Sequence, residues 1–176
     1  MNSSTAAKPD ACQPCRLSRD LELLRHTELL GGINLDMIKL FAYLSTRRSY
    51  RAGDQLIEQN QKADGAFILI SGAVDVSVKH RGKEIKLQSL KQDDFFGELA
   101  LLAQFDWFFT VTAATDVEVL IIPRHAFQKV LEKFPDQKDD LIERVIQLRV
   151  NRLVNQTSYM LDTFLSPDTN ISTSLI

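Results

Sequence analysis

The chain has 176 residues, 44% of them hydrophobic and 25% charged, which suits one folded domain with a few appended elements and excludes global disorder. Lys plus Arg number 21 and Asp plus Glu 23, a formal net charge of −2, so the chain lacks the overall basic excess of a nucleic-acid binder. No apolar run approaches the length of a membrane span, the N-terminus lacks the apolar centre of a signal peptide, and two cysteines make no disulfide framework; the expectation is a soluble, cytoplasmic protein.

Residues 1–18 are rich in Ser, Ala and Pro without an apolar period and read as a flexible leader. Within it Cys12 and Cys15 form a CxxC. That spacing suits a redox pair, or half of a metal or iron–sulfur site completed by a second chain. Against this, the pair lacks the strand–helix setting of a thioredoxin-like motif. From Arg19 to Leu30 the positions Leu21, Leu24, Leu29 and Leu30 predict a short helix stopped by Gly31 and Gly32. Asn34 caps a second helical stretch whose apolar face is Leu35, Ile38, Leu40, Phe41 and Leu44. Thr46, Arg47 and Arg48, with Arg51, read as a basic, solvated cluster near a helix end.

After Ser49 short β-branched or alternating runs follow one another: YRAGDQLIEQ, GAFILISGAVDVSVKH, KEIKLQSL and VEVLIIP. Gly53-Asp54, Ser71-Gly72 and Arg81-Gly82 separate them as turns, and all 7 glycines lie between Gly31 and Gly97. Closely spaced short strands predict an antiparallel roll, barrel or sandwich. Pro123 ends the last strand, and Arg124–Phe134 reads as a short helix stopped by Pro135. Residues 137–165 contain neither Gly nor Pro, and apolar residues recur at three- and four-residue steps. They are Ile142, Ile146, Val150, Leu153, Val154, Thr157, Met160, Leu161 and Phe164. The pattern predicts one amphipathic helix of about 40 Å. The fold class is mainly β with flanking helices: an antiparallel, jelly-roll-like β-roll with N-terminal helices and a long C-terminal helix. The expected division is a leader 1–18, a roll domain 19–135, a long helix 136–165 and a polar tail 166–176.

That order of elements resembles the cyclic-nucleotide-binding domain family of catabolite activator protein and the protein kinase A regulatory subunit. The resemblance runs from about Leu29 to Phe134. It rests on four marks in order: YRAGDQLIEQ, ADGAFILISGAVDV, FFGELALL and VTAATDVEVLIIPRHAF. In FFGELALL, Gly97 lets a backbone approach a ligand closely, and the helix that follows aims N–H groups at an anion. Glu98 suits a sugar hydroxyl, and the resemblance implies that it receives a ribose 2′-OH. Gly97, Glu98, Leu99 and Ala100 match the family's phosphate-binding cassette by position.

The departure follows at once. Counted back from VTAATDVEV, the family's phosphate arginine falls at Trp107, the small residue after it at Phe108, and the hydroxyl position at Thr110. Residues 100–113 contain no Arg, Lys or His. Indole cannot imitate the paired, charge-assisted bonds of a guanidinium, and each such bond lost costs about 1.5–3 kcal/mol. Asn60 stands where the family usually has Gly, and Lys91-Gln92-Asp93-Asp94 replaces a Pro-Gly-Asp turn. Three readings of Trp107, Phe108 and Phe109 remain open. They are core residues, or they close the pocket, or they stack on a planar ligand held by backbone N–H groups. The first two imply no cAMP at the usual site.

His26, His80 and His125 are scattered without metal-ligand spacing, and no nucleophile-elbow pattern or catalytic constellation is evident. In the catabolite activator branch a long helix after the roll is the dimer seam, so the resemblance implies a homodimer through Ile142, Ile146, Val150, Leu153, Val154 and Met160. Asn151 and Asn155 would fix its register if they face that seam. In that branch a helix-turn-helix of roughly sixty to seventy residues follows. Here about ten polar residues follow the helix, and no direct DNA binding by that route is expected. The reading is a stand-alone, non-enzymatic regulatory module with a protein partner. The rivals are a sensor of a cyclic nucleotide or cyclic dinucleotide in a changed pose, and a redox or metal sensor on Cys12 and Cys15.

Overall fold

The structure is a computed structural model and describes residues 13–165, with side chains from Leu17 onward. Helix α1 (Gln13–His26) begins inside the stretch read as a leader and stops short of Leu30. Thr27 ends it: its hydroxyl donates to the Leu24 carbonyl at 2.8 Å, and its own carbonyl accepts from Gly31 N at 2.9 Å. Helix α2 (Leu35–Leu44) starts where Asn34 predicts, with Asn34 Oδ1 accepting from Asp36 N at 2.8 Å.

The segment read as a basic helix end is strand β1 (Thr46–Tyr50). It has little apolar character of its own and is held by partners far away in the chain. Its backbone pairs with β8 (Val117–Pro123). Arg47 donates to Asp20 of α1 at 2.7 Å and to Glu118 of β8 at 3.0 Å. Burial alone would lower the Arg47 pKa, but the hydrogen bonds to Asp20 and Glu118 outweigh it and raise the pKa above its ordinary value. Arg47 is therefore a tie between α1 and the roll, not a solvated charge.

The remaining strands are β2 (Gln55–Ile57), β3 (Gly65–Ser71), β4 (Ala73–His80), β5 (Lys83–Lys91), β6 (Phe95–Phe96) and β7 (Thr110–Ala113). They form two antiparallel four-stranded sheets, ordered β1-β8-β3-β6 and β2-β7-β4-β5. Helix α3 (Leu99–Leu102) lies between β6 and β7. Helix α4 (Arg124–Lys133), a 3₁₀ turn (Pro135–Gln137) and helix α5 (Lys138–Leu165) follow β8.

Strands β3 and β8 read as continuous apolar runs because both of their faces are covered. Ala66, Ile68, Leu120 and Ile122 pack outward against Phe41 of α2, Phe127 of α4 and Leu141 and Val145 of α5. Phe67, Leu69, Val117 and Val119 point into the roll, against Val74, Val76, Val111 and Trp107. Two cores thus share one sheet as their wall. Among the described residues no helix is long and apolar enough to cross a membrane.

Candidate functional site

The cassette occupies the junction of these cores. Gly97 adopts φ +83°, which turns the chain from β6 into α3. A Cβ placed there would lie 3.0 Å from Trp107 Cη2 and 3.2 Å from the Gly65 carbonyl oxygen. Gly97→Ala is therefore expected to lose about 1–3 kcal/mol of stability from backbone strain and overpacking, measured as a lower urea midpoint at unchanged slope. Ala100 is buried and Leu99 partly exposed. The C-terminal end of α3 is held by Arg124, which donates to the carbonyls of Ala100, Ala103 and, across the loop, Ala63. Sequence reasoning missed this residue. Its signal was a cation at the N-terminus of a helix, where the dipole disfavours it and another use is implied.

Trp107 is 4% exposed. Its backbone is clamped on both sides, with Asn60 N donating to Trp107 O at 2.7 Å and Trp107 N to Gln61 O at 2.8 Å. The indole lies inside the roll with Phe67, Val76, Ala100 and Val111. Phe105 meets it edge-on with centroids 5.2 Å apart, and Phe109 lies tilted at the same distance. Trp107 is thus a core residue that fills the space over Gly97. Phe108 is 60% exposed and touches Phe109 edge-on at 4.7 Å. Alternation along the chain turns it outward when Trp107 turns in. Thr110 is buried, and its hydroxyl accepts from Gln59 N at 3.2 Å. Asn60 and Asp93 both adopt the left-handed conformation that favours glycine, with φ of 71° and 72°.

Glu98 is 3% exposed although it is acidic. Its carboxylate accepts from Arg152 Nη1 at 2.8 Å, while Arg152 Nη2 donates to the Phe95 carbonyl at 2.6 Å. The guanidinium also lies 5.9 Å from the Phe95 ring centroid and 3.6 Å from the Glu28 carboxylate. Arg152 belongs to α5, so the long helix reaches directly into the cassette. This pair was not visible in the sequence, where its members lie far apart.

Helix α5 buries Leu141 and Val145, and Ile142 is half-buried. Farther along, Ile146, Val150, Leu153, Val154 and Met160 are exposed. Ile146, Val150, Leu153, Thr157, Met160 and Phe164 recur in alternating steps of four and three, the spacing of a coiled-coil seam. On another face, Asn151 and Asn155 line a cleft of 810 Å³ between α5 and the roll, together with Gln88, Leu90 and Arg152. The two asparagines therefore lie on the face toward the roll, beside the stripe. The reason is the docking of Arg152, which turns that face toward the roll.

His26 Nδ1 lies 2.7 Å from the Glu22 carbonyl oxygen at the end of α1. Among the described residues no group of three or more His, Cys, Asp or Glu side chains could hold a metal ion. Cys12, and the side chain of Cys15, lie outside the described residues.

The family described as cyclic nucleotide-binding domain matches residues 47–134, half of the chain. A cAMP-dependent protein kinase regulatory subunit of Eremothecium gossypii is 34% identical over 111 residues, covering 62% of this chain and 23% of that protein. A cGMP-dependent protein kinase of Caenorhabditis elegans is 32% identical over 130 residues, covering 71% of this chain and 16% of that protein. The chain thus spans less than a quarter of the length of either relative. A solved cyclic nucleotide-binding-like protein from Brucella abortus superposes with a TM-score of 0.59 at 26% identity, covering 65% of this chain and 98% of that one. With the two-sheet roll, the GELA turn into α3 and this match at the same residues, the chain belongs to the cyclic nucleotide-binding domain family.

Proposed function

We propose that this chain is a non-enzymatic, cytoplasmic regulatory module whose roll is closed by its own side chains. In this reading it takes no cyclic nucleotide in the family's usual manner and acts on a protein partner. The observation that carries the reading is the indole of Trp107, buried against Gly97 where the resemblance expects a guanidinium. A cyclic phosphate entering there would meet an apolar wall and no counter-charge, and burying an unpaired anion is strongly unfavourable. The test is thermal unfolding with millimolar cAMP, cGMP and cyclic dinucleotides. A ligand at a hundred times its dissociation constant adds about 2.7 kcal/mol of stability. No rise in melting temperature is expected, and a rise with any of the three overturns the reading.

The exposed stripe on α5 supports a homodimer through the long helix, with Ile146, Val150, Leu153 and Met160 in the seam and Ile142 and Val154 at its edges. Light scattering behind size exclusion should give twice the mass of 20.0 kDa. Leu153→Asp, which places a charge in the middle of the seam, should give a folded monomer. A wild-type monomer, or a Leu153→Asp dimer, contradicts the seam.

The second reading is a sensor that holds a cyclic nucleotide or cyclic dinucleotide in a changed pose. The 810 Å³ cleft beside Arg152 favours it. It predicts a ligand-induced rise in melting temperature that Asn155→Leu abolishes.

A further inference from the structure

We propose that the free edge of β5 is a docking strand for an extended acidic segment of a partner protein, which joins the sheet beside it. Apolar side chains of that segment meet Ile85 and Leu87, and its carboxylates meet the cations of the β4–β5 hairpin. The proposal rests on the partner-binding part of the reading above and is independent of whether the roll is closed.

In the sheet ordered β2-β7-β4-β5, β5 pairs with β4 alone, so the backbone N–H and C=O groups along its other side are open to a further strand. At 9 residues it is long for an edge strand. Lys83 to Ser89 are all exposed, Ile85 at 44% and Leu87 at 49%. Ile85 lies opposite Val78, on the face that Val74 and Val76 turn into the roll. It shares that face and is nevertheless uncovered. Leu87 sits where the register shifts between Val76 and Ser77, as the extra residue of a bulge.

The charge of the hairpin selects the occupant. Between Val76 and Gln92 the chain carries Lys79, Arg81, Lys83, Lys86 and Lys91 against the one carboxylate of Glu84. Glu84 accepts from Ser77 Oγ at 2.8 Å, and Lys86 pairs with Asp75 at 2.8 Å. Lys79, Arg81 and Lys83 make no ion pair among the described residues. This positive excess stands in a chain whose net charge is −2. Lysines and a bulge keep an edge strand from pairing with a copy of itself, because like charges would face each other across the join. The same cations attract a strand that carries carboxylates. Charge therefore disfavours a second copy and favours an acidic partner. In strand addition the main chain supplies affinity and alternate side chains supply specificity. The matching segment alternates apolar and acidic residues, the apolar ones on the face of Ile85 and the acidic ones on the face of Lys79 and Lys86.

The test titrates the full chain with a fluorescent ten-residue peptide of alternating Glu and Val. The controls are a block peptide of five Glu and five Val, and an alternating Lys–Val peptide. Anisotropy reads the affinity, and hydrogen exchange reads the amides of residues 83–91. The Glu–Val peptide is expected to bind saturably, about tenfold or more tightly than either control, and to protect amides of β5. Lys79→Glu with Lys83→Glu is expected to weaken it by about tenfold or more. Should that variant fail to fold, Lys79→Gln with Lys83→Gln replaces it, and unchanged affinity then overturns the proposal. Absence of binding overturns it, as does equal affinity for the block peptide, which would mean charge attraction without strand pairing. Binding without protection of β5 has the same meaning; if phosphatidylserine vesicles then bind the chain, the hairpin is a lipid-facing surface instead. Concentration-dependent protection of β5 without peptide would assign the edge to a second copy. Each of these failures leaves the nucleotide titration, and with it the closed-roll reading, untouched.

Discussion

Trp107→Ala is expected to cost about 3–5 kcal/mol of folding stability, the largest effect of any single change near the cassette. The indole is 4% exposed and is shared by the roll interior, the Phe105 and Phe109 rings and the Gly97 backbone. Its neighbours cannot collapse into the space it leaves. Trp107 N and O are pinned to Gln61 and Asn60, and α3 is pinned by Arg124. For a chain of this length the loss lowers the melting temperature by roughly 6–20 °C. Trp107→Phe keeps an aromatic ring in place and should recover more than half of the loss. A Trp107→Ala variant as stable as the wild type would mean that the indole is not part of the core.

The second large effect is expected at the Glu98–Arg152 pair. Arg152→Met leaves a buried carboxylate without its partner. Breaking a buried pair in this way costs about 3–5 kcal/mol, and the 29% exposure of the Arg152 side chain reduces the expected loss to about 2–4 kcal/mol. Glu98→Leu in the Arg152→Met background removes the stranded charge and should return most of that stability, because an apolar pair can stand in for a buried ionic one. Urea unfolding of the two single variants and the double variant closes the cycle. The expected coupling is about 1.5–3 kcal/mol, the range of residues joined in one network. Additive losses would show that the two side chains meet without supporting each other.

Much of the fold was legible in the sequence, for identifiable reasons. Strands β3 and β8 stand out because both faces are apolar, α2 because Asn34 caps it, and the limits of α4 because Pro123 and Pro135 bracket it. The cassette was readable from Gly97 and Glu98, and the Trp107 replacement from its offset to Thr110. What stayed hidden depends on distant partners. Strand β1 has no alternating pattern and is held by β8 and by the Arg47 bonds to Asp20 and Glu118. Arg124 and Arg152 look like ordinary helix-surface cations until the fold brings carbonyls and a carboxylate to them. The face taken by Asn151 and Asn155 was left open, because periodicity gives a stripe but does not say which flank of it the roll takes. Asn60 looked like a departure at a glycine position, and Asp93 lies in the segment that replaces a Pro-Gly-Asp turn. Both have short polar side chains that tolerate the left-handed conformation of those turns, so the substitutions are conformationally quiet.

Trp107 is the single tryptophan of the chain, so its fluorescence reports on the cassette without labelling. The most direct measurement is its emission and its quenching by acrylamide during titration with cAMP and cGMP. The account predicts a blue-shifted, poorly quenched indole that millimolar nucleotide leaves unchanged. A saturable shift in emission or a nucleotide-dependent rise in quenching would contradict it, because the roll would then open for the ligand that Trp107 is held to exclude.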